Sequence, residues 1–372
     1  MIALQILVLI AVPFFLLWLQ SKLKWFKAIV MSYVFGIVVG NLFPSIFDLS
    51  IVQEITGISI ILAIPLMLFP TSIPALLKQP KTLLISYGLA VLSTSLSVLF
   101  GYWIFKGSLE DIELISGMLG GVYTGGTVNL NAIAYAFQVD NELVILMNGF
   151  DWSLSGVYLL LIFTILPKVL GWVLPEKLKY QVAQSENLEH GFDALKFKEK
   201  FYSISKGLSI SVLLLGVMAG ISILWNGRMN ELVIIFGVTG LALALSNIKS
   251  VRNLKGSMVT ADYLMLLFGL TLGLQANVLE LFADQSELFS YFLVTFSVML
   301  VIHLILAKLF RIDVQTFLIS SSAAVFGPPF IGPIAESLNN RSLIPSGIII
   351  ALVGNAIGTY LGVLIVKILL GL

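Results

Sequence analysis

The sequence predicts an all-α protein that crosses a membrane many times. Apolar residues make up 58% of the 372 residues and charged residues only 11%, whereas a soluble domain has roughly 25% charged residues. Uncharged runs of about 20 residues, the length that spans a bilayer as a helix, recur along the chain. The runs are continuous rather than alternating, so they predict helices and not the strands of a membrane barrel.

Composition also excludes several classes of function. The formal net charge is +1, so we expect no nucleic-acid partner. The chain has no cysteine, which excludes disulfides and cysteine nucleophiles. Its two histidines, His190 and His303, are far apart, and neither a zinc-protease motif nor a phosphate-binding loop occurs. We therefore expect no enzyme and no bound cofactor.

Twelve apolar segments follow one another along the chain. They are 1–21, 28–47, 55–77, 82–105, 114–139, 143–167, 207–227, 232–248, 263–279, 288–307, 314–335 and 342–366. The first lacks the basic start of a secretory signal and is followed by Lys22, Lys24 and Lys27, so we expect a retained helix. The long polar stretch 174–204 is predicted to be a cytosolic linker.

The halves on either side of the linker, 1–173 and 205–372, resemble each other and predict a duplication. Asp111–Gln138 aligns with Asp313–Asn340, and both stretches are interrupted by glycine or proline. The interruptions are Gly120-Gly121-Val122-Tyr123-Thr124-Gly125-Gly126 and Ser322-Ala323-Ala324-Val325-Phe326-Gly327-Pro328-Pro329. Internal repeats of this kind are common in secondary transporters.

Charge predicts that the two repeats are inverted. If all twelve segments cross simply, the 21 Lys and Arg residues divide into 7 and 14. If 114–139 and 314–335 each return to the side they entered, the division becomes 18 to 3, as expected when short cytoplasmic loops retain Lys and Arg. We therefore predict ten crossings plus two broken or re-entrant helices, with both termini outside a prokaryotic cytoplasmic membrane. A hidden break in segment 143–167 would give a similar bias of Lys and Arg residues toward one side.

The two broken segments are the predicted binding site. Backbone groups freed in the middle of a bilayer must face protein or a water-filled cavity, and paired breaks in a repeat indicate a transport site. A plain kink is the alternative interpretation. The candidate ion- or substrate-binding residues are Thr124, Gly125, Gly126, Thr127, Asn129, Asn131, Asp151, Gly327, Pro328, Glu336 and Asn355. Of these, Thr127, Asn129 and Asp151 offer oxygens for Na⁺, and helix N-termini beyond the breaks offer a place for an anionic group.

Ionisable residues within the apolar segments have two interpretations each. Asp151 binds Na⁺ or carries a proton, or it is a helix-end residue near the interface. Glu336 lines the site, or it is a boundary residue paired with Arg341 on the surface. Asp262 is functional or only begins its helix. His303 is interpreted as a hydrogen-bonded core histidine rather than a proton relay.

These motifs resemble a known family. Gly120–Asn129, Asp151, Phe326–Pro329, Pro345–Gly347 and Asn355–Gly362 are similar to the YjcL-like family of uncharacterised membrane proteins (domain of unknown function 819). The resemblance places the chain in the superfamily of cation:proton antiporters and anion transporters, alongside NhaA-type antiporters and bile-acid and 2-hydroxycarboxylate sodium symporters. It implies inverted repeats, a scaffold domain and a mobile core domain, but no substrate.

The resulting hypothesis is a cation-coupled secondary transporter of a small organic solute, with Na⁺ preferred over H⁺ as the coupling ion. Its partners would be the solute, the lipid bilayer and, in a homodimer, a second copy. A cation/proton antiporter that uses Asp151 or Glu336 is the alternative. Asp151 lies between Phe150 and Trp152, so the tandem acidic pair of electrogenic antiporters is absent, which puts direct Na⁺/H⁺ exchange in doubt. A structural or sensor role would leave the paired breaks unexplained.

Overall fold

The computed structural model describes residues 2–23, 27–43, 46–71, 81–175, 195–227, 229–276 and 287–371. Within these ranges the chain is helical and contains no strand. The helices are α1 (Ile2–Lys22), α2 (Ala28–Leu42), α3 (Leu49–Leu68), α4 (Thr82–Phe105), α5 (Ile112–Gly125), α6 (Thr127–Ala136), α7 (Asn141–Thr164), α8 (Leu166–Leu170), α9 (Phe197–Asn226), α10 (Glu231–Leu245), α11 (Lys249–Arg252), α12 (Gly256–Gln275), α13 (Glu287–Leu309), α14 (Val314–Phe326), α15 (Ile331–Ser337) and α16 (Ile344–Leu370). Short 3-10 turns, Pro328–Phe330 and Arg341–Leu343, precede α15 and α16.

In the described part of the chain, eight helices are long and apolar enough to cross a membrane: α1, α3, α4, α7, α9, α12, α13 and α16. The predicted all-helical, polytopic membrane protein is therefore confirmed. Three apolar helices, α2, α10 and α14, are shorter. Two of these, α2 and α10, correspond to segments predicted as full crossings, yet each has 15 residues, about 22 Å of helix.

Local sequence explains where α2 ends and where α10 begins. Pro44 follows α2 closely, and a residue before proline is disfavoured in helical conformation. At the start of α10, the side chain of Asn230 accepts a hydrogen bond from the Val233 N–H at 3.3 Å. This cap fixes the first residue of α10 at Glu231.

The chain divides into two compact units, each of which takes elements from both halves of the sequence. Unit 1 comprises Met1–Gln79, Tyr180–Ala276 and Ala335–Pro345. Unit 2 comprises Pro80–Lys179, Asn277–Ile334 and Ser346–Leu372. Unit 1 therefore contains α1–α3 and α9–α12, and unit 2 contains α4–α8, α13, α14 and nearly all of α16.

In unit 1, α12 is the central helix and packs against α2 and α3. Ser32 on α2 donates a hydrogen bond to the Leu266 carbonyl on α12 at 2.6 Å. A Cβ added to Gly36 would overlap the Leu270 carbonyl, and one added to Gly273 would overlap the Tyr33 carbonyl. Glycine thus permits these two backbones to approach closely, as small residues do between membrane helices.

Helix α9 begins at Phe197, inside the stretch 174–204 that was predicted as a linker. The Glu199 side chain accepts a hydrogen bond from the Lys196 N–H at 3.0 Å, which caps the helix. The polar residues around this cap therefore continue the membrane helix beyond its apolar part. Residues 176–194 of the predicted linker lie outside the described residues.

In unit 2, α4 packs against α13, α14 and α5. Helices α5 and α14 are the first halves of the two broken segments, and buried residues make up nearly their whole length. Unit 2 therefore contains both breaks.

Candidate ion-binding site

Both predicted breaks are present, and each is centred on one glycine. Gly126 separates α5 from α6, with φ 96° and ψ 178°. Gly327 separates α14 from the following 3-10 turn, with φ 75° and ψ −167°. A positive φ with ψ near 180° is open almost only to glycine. Two interruptions, 201 residues apart, therefore adopt the same unusual backbone conformation.

The two breaks lie against each other. A Cβ added to Gly126 would be 3.3 Å from the Phe326 carbonyl oxygen, and one added to Gly327 would be 3.1 Å from the Gly125 carbonyl oxygen. Backbone therefore meets backbone where the broken segments cross, and side chains at either glycine would separate them.

Helix α16 packs on the first broken segment through a second set of glycines. Gly354 contacts Gly125, Gly358 contacts Gly121, and Gly362 contacts Gly117. Each set is spaced by four residues, so it forms one stripe along its helix. This close approach brings the polar side chains of α16 to the crossing.

Protein hydroxyls satisfy two of the last carbonyls of α5, those of Thr124 and Tyr123. The Tyr87 hydroxyl donates to the Thr124 carbonyl at 2.6 Å, and the Thr94 hydroxyl donates to the Tyr123 carbonyl at 2.7 Å. The Thr124 hydroxyl donates to the Gly120 carbonyl within its own helix at 2.8 Å. These bonds hold the end of α5 in place.

Asp151 is a buried carboxylate whose neighbours are hydroxyl groups. Its side chain is 2% exposed. The Thr127 hydroxyl donates to one carboxylate oxygen at 3.2 Å, and the Ser155 hydroxyl lies 3.4 Å from the other. Among the described residues, neither Lys nor Arg forms an ion pair with it.

The position of Asp151 is not that of a helix end. It lies ten residues beyond Asn141, where α7 begins. Its hydrogen-bond partner Thr127 is the first residue of α6. The dipole of a helix places partial positive charge at this end. That dipole and two hydroxyls are modest compensation for a buried negative charge, so a cation or a proton would be favoured here.

A ladder of amides connects Asp151 with the exposed surface of unit 2. Asn148 donates to the Asn131 side-chain oxygen at 3.0 Å, and Asn131 donates to the Thr127 carbonyl at 3.2 Å. Asn131 is exposed, Asn148 and Thr127 are half-buried, and Asp151 is buried. The polar groups between α6 and α7 therefore run from the surface inward.

On the α16 side of the crossing, one atom of each of two side-chain amides lacks a partner among the described residues. The Thr359 hydroxyl donates to the Asn129 side-chain oxygen at 2.8 Å. The Asn129 amide nitrogen and the Asn355 amide oxygen are buried and have no hydrogen-bond partner among the described residues. A Cβ on Gly327 would be 3.5 Å from that Asn355 oxygen. Buried polar groups are nearly always satisfied, so these two atoms retain hydrogen-bonding capacity for a further group.

The second break differs from the first in its hydrogen-bond donors. Pro328 and Pro329 follow Gly327 and lack the N–H groups that would receive an anion. The helix beyond them, α15, has only seven residues. Pro328 is buried but contributes no donor. Two helices, α5 and α14, end at the crossing with their carbonyl groups, whereas among the described helices only α6 begins there with a full set of N–H groups. This arrangement favours a cation over an anion.

Glu336 belongs to unit 1, whereas the other predicted site residues belong to unit 2. Arg341 donates to Glu336 and, at 2.9 Å, to Asp262. Lys27 donates to the Ser337 carbonyl at 2.5 Å. The structure therefore contains the ion pair between Glu336 and Arg341 that the second interpretation of Glu336 predicted. The pair is not on the surface, because the Arg341 side chain is only 15% exposed.

His303 has the surroundings expected of a core histidine. One ring nitrogen lies 3.1 Å from the Ser86 carbonyl, and the ring stacks on Phe317 at 4.4 Å between centroids. The side chain is 1% exposed. These contacts are those of a packed, hydrogen-bonded residue.

Two residues of the site were not among those predicted, Ser155 and Thr359. Each lies four residues after a predicted one, Asp151 or Asn355, and so shares its helix face. The two pairs are separated by the same 204 residues along the chain. Including the residue one helical turn after each of these predicted residues would have found both.

Comparisons with known proteins agree with the resemblance in the motifs. The family described as "Protein of unknown function (DUF819)" matches residues 7–372. The "Uncharacterized membrane protein YjcL" of Bacillus subtilis (strain 168) is 22% identical over 361 residues, which cover 92% of this chain and 91% of that protein. The family match spans both units and both breaks, and the chain therefore belongs to the DUF819 family of membrane proteins.

Proposed function

We propose that this protein is a cation-coupled secondary transporter of a small organic solute, with Na⁺ as the coupling ion. The observation that carries the proposal is Asp151, a buried carboxylate without a basic partner among the described residues, next to the crossing of two broken helices. Ionisable groups inside membrane proteins are costly and mark ion or substrate pathways. Interrupted helices at corresponding positions mark the binding site of secondary transporters.

The cation would be held by oxygens on the α7 side of the crossing. Asp151 supplies the negative charge, and the hydroxyls of Thr127 and Ser155 supply neutral oxygens. Hard cations such as Na⁺ prefer oxygen ligands of this kind. With an ion bound, both hydroxyls would turn their oxygens toward it, which replaces their present hydrogen bonds to the carboxylate.

The solute would use the unpartnered amides on the α16 side. The Asn129 nitrogen offers a donor and the Asn355 oxygen an acceptor. Thr127 and Asn129 begin the same short helix, α6, so ordering one end of it by ion binding would also position the other. Coupling of this kind is reciprocal, because each ligand raises the affinity for the other.

In this proposal unit 2 is the mobile core domain and unit 1 is the scaffold. Each unit draws on both halves of the chain, as expected when duplicated halves each contribute to scaffold and core. The common conformation of Gly126 and Gly327 supports descent from one repeat. Inversion of the repeats would follow from the predicted bias of Lys and Arg residues.

Thermal stability in detergent tests the ion site. We expect Na⁺ to raise the unfolding temperature of the purified protein when it replaces K⁺ or choline at constant ionic strength. A ligand at a hundredfold excess over its dissociation constant stabilises by about 2.7 kcal/mol. Asp151→Asn should remove the effect of Na⁺, whereas Asp140→Asn, an exposed acid that caps the same helix, should retain it. Equal stabilisation of the Asp151→Asn variant would disprove the assignment.

Transport into proteoliposomes separates this function from the antiporter alternative, which the same buried carboxylate supports as a proton carrier. Uptake of radioactive Na⁺ that needs an added solute and leaves the internal pH unchanged would support symport. Na⁺ uptake that expels protons without solute would support antiport. Both activities should be lost in Asp151→Asn and kept in Asp140→Asn.

A further inference from the structure

The hydroxyl group of Tyr123, in the last turn of α5, is a buried polar group without a partner. The side chain is fully buried, and its hydroxyl has no hydrogen-bond partner among the described residues. A buried hydroxyl without a partner is uncommon, because burial removes the water that would otherwise bond to it. The Tyr123 hydroxyl therefore retains the capacity to bond to a further group.

The backbone of Tyr123 is held in an uncommon conformation. Its φ of −84° and ψ of 15° depart from helical values within α5 and fall in a sparsely populated region where many active-site residues are found. The Thr94 hydroxyl donates to the Tyr123 carbonyl at 2.7 Å. Such conformations persist where the surrounding structure holds them. The turn that leads into the Gly126 break therefore also fixes the backbone of Tyr123.

The ring of Tyr123 is positioned by packing rather than by its hydroxyl. It meets the ring of Phe296 on α13 edge-on, with 5.2 Å between centroids. Tyr158 on α7 packs edge-on against the same Phe296 ring at 5.5 Å, but its hydroxyl lies 2.7 Å from the Ser321 hydroxyl. Two tyrosines thus share one aromatic neighbour and differ in whether the hydroxyl has a partner. Tyr158 therefore provides an internal reference for Tyr123.

The charge of the Asp151 carboxylate acts on the Tyr123 hydroxyl. An electrostatic interaction links the two groups, and both belong to unit 2. No hydrogen bond joins them. A hydrogen bond between two oxygens spans roughly 2.5–3.0 Å, whereas a cation between two oxygens spans about twice an ion–oxygen distance. For Ca²⁺, an ion of nearly the same radius as Na⁺, this distance is about 2.3–2.6 Å. A cation can therefore join oxygens that are too far apart for a hydrogen bond.

We propose that the Tyr123 hydroxyl is a further ligand of the cation at Asp151 and so helps to determine its affinity. This inference rests on the proposed function, in which Asp151 binds Na⁺. Tyr123 would add a third neutral oxygen to those of Thr127 and Ser155, and hard cations take several oxygen ligands.

The ligand set would then join three helices. Tyr123 lies at the end of α5, Thr127 begins α6, and Asp151 belongs to α7. A bound ion would therefore connect both sides of the Gly126 break to α7. The second break has Ala324 at the corresponding place, three residues before Gly327, and alanine offers no hydroxyl. The cation ligands would thus lie on the side of the first break.

A Na⁺ titration of the unfolding temperature in detergent, with K⁺ replacing Na⁺ at constant ionic strength, tests the ligand role. Tyr123→Phe keeps the ring and removes only the hydroxyl. Without Na⁺ we expect this variant to unfold at the wild-type temperature or above it, because an unpartnered buried polar group is removed. It should also need about tenfold more Na⁺ for half of the stabilisation, as expected for loss of one ligand of a charged group.

Tyr158→Phe is the matched control, because it removes a hydroxyl from the other tyrosine that packs on Phe296. It should lower the unfolding temperature without Na⁺, since the contact with Ser321 is lost. It should leave the Na⁺ concentration for half of the stabilisation unchanged. An equal weakening of the Na⁺ dependence by Tyr158→Phe would assign the effect to ring packing and overturn the ligand role.

The remaining outcomes separate this inference from the function on which it rests. If Asp151→Asn removes the effect of Na⁺ and Tyr123→Phe keeps the wild-type Na⁺ dependence, Tyr123 is not a ligand and the ion site at Asp151 stands. If the wild-type protein does not respond to Na⁺, the ion site and its Tyr123 ligand are both refuted.

Discussion

Two groups of buried acids, one in each unit, differ in what balances their charge. Among the described residues, the side-chain hydrogen bonds of Asp151 in unit 2 come from hydroxyl groups beside one helix end, whereas Glu336 and Asp262 in unit 1 share Arg341. Arg341 donates to both acids and balances one of their two charges, so this group has less need of a mobile ion than an acid without a base. An acid without such a base is stable only when it is protonated or accompanied by a cation. In the proposed function this contrast separates a carboxylate that binds an ion from carboxylates that stabilise the fold, although all three are intramembrane acids in the sequence.

The largest expected effect tests the structural side of this contrast. Arg341→Met should lower the free energy of unfolding by about 3–5 kcal/mol, because it leaves two buried carboxylates without their shared cation. Unfolding in a graded detergent mixture, monitored by circular dichroism, measures the loss. Adding Asp262→Asn and Glu336→Gln to the same variant should recover part of it. A loss no greater than that of an exposed pair, up to about 1 kcal/mol, would mean that these charges are solvated.

A smaller effect concerns the crossing to which Asp151 contributes. Gly327→Ala should cost about 1–3 kcal/mol in the same unfolding assay, because an L residue is strained at this positive φ. The added methyl would also press on the Gly125 carbonyl. Gly149→Ala in α7 is the matched control, since nothing lies within 4 Å of its added Cβ. We expect that control to be neutral or stabilising by up to about 1 kcal/mol.

The smallest effect ranks the two hydroxyls beside Asp151. Thr127→Val should weaken the Na⁺-dependent stabilisation by about tenfold in concentration, as expected for loss of one ligand or hydrogen bond to a charged group. Ser155→Ala should weaken it by less than about threefold, because its longer contact of 3.4 Å is near the limit of a hydrogen bond. A Na⁺ titration of the unfolding temperature measures both. The reverse ranking would place the ion nearer to Ser155.

The sequence contains enough to predict the breaks but not the partners of every acid. Gly126 and Gly327 are visible because glycine and proline interrupt long apolar runs, and their conformations follow from glycine chemistry. Asp151 stands out as a lone acid in such a run. That Thr124 binds a ligand stays a prediction; its hydroxyl donates to the Gly120 carbonyl in its own helix, a local option that threonine always has.

Long-range pairing is where prediction from the sequence was weakest. Arg341 lies five residues from Glu336 and could be considered as its partner, but Asp262 is 79 residues away and no local pattern links it to Arg341. Composition likewise did not reveal the unsatisfied amides of Asn129 and Asn355, because satisfaction depends on which groups the fold brings near. Whether a buried polar atom finds a partner depends on packing, which a single sequence does not determine.

The amide ladder from Asn131 through Asn148 and Thr127 has a kinetic consequence. If Asp151 is the destination of the ion, the ion does not have to lose its whole hydration shell in one step. Each amide or hydroxyl oxygen can replace one water molecule, which divides a single high barrier into several low ones. Asn131 and Asn148 would then govern how fast ions exchange, while Asp151 governs how tightly they are held.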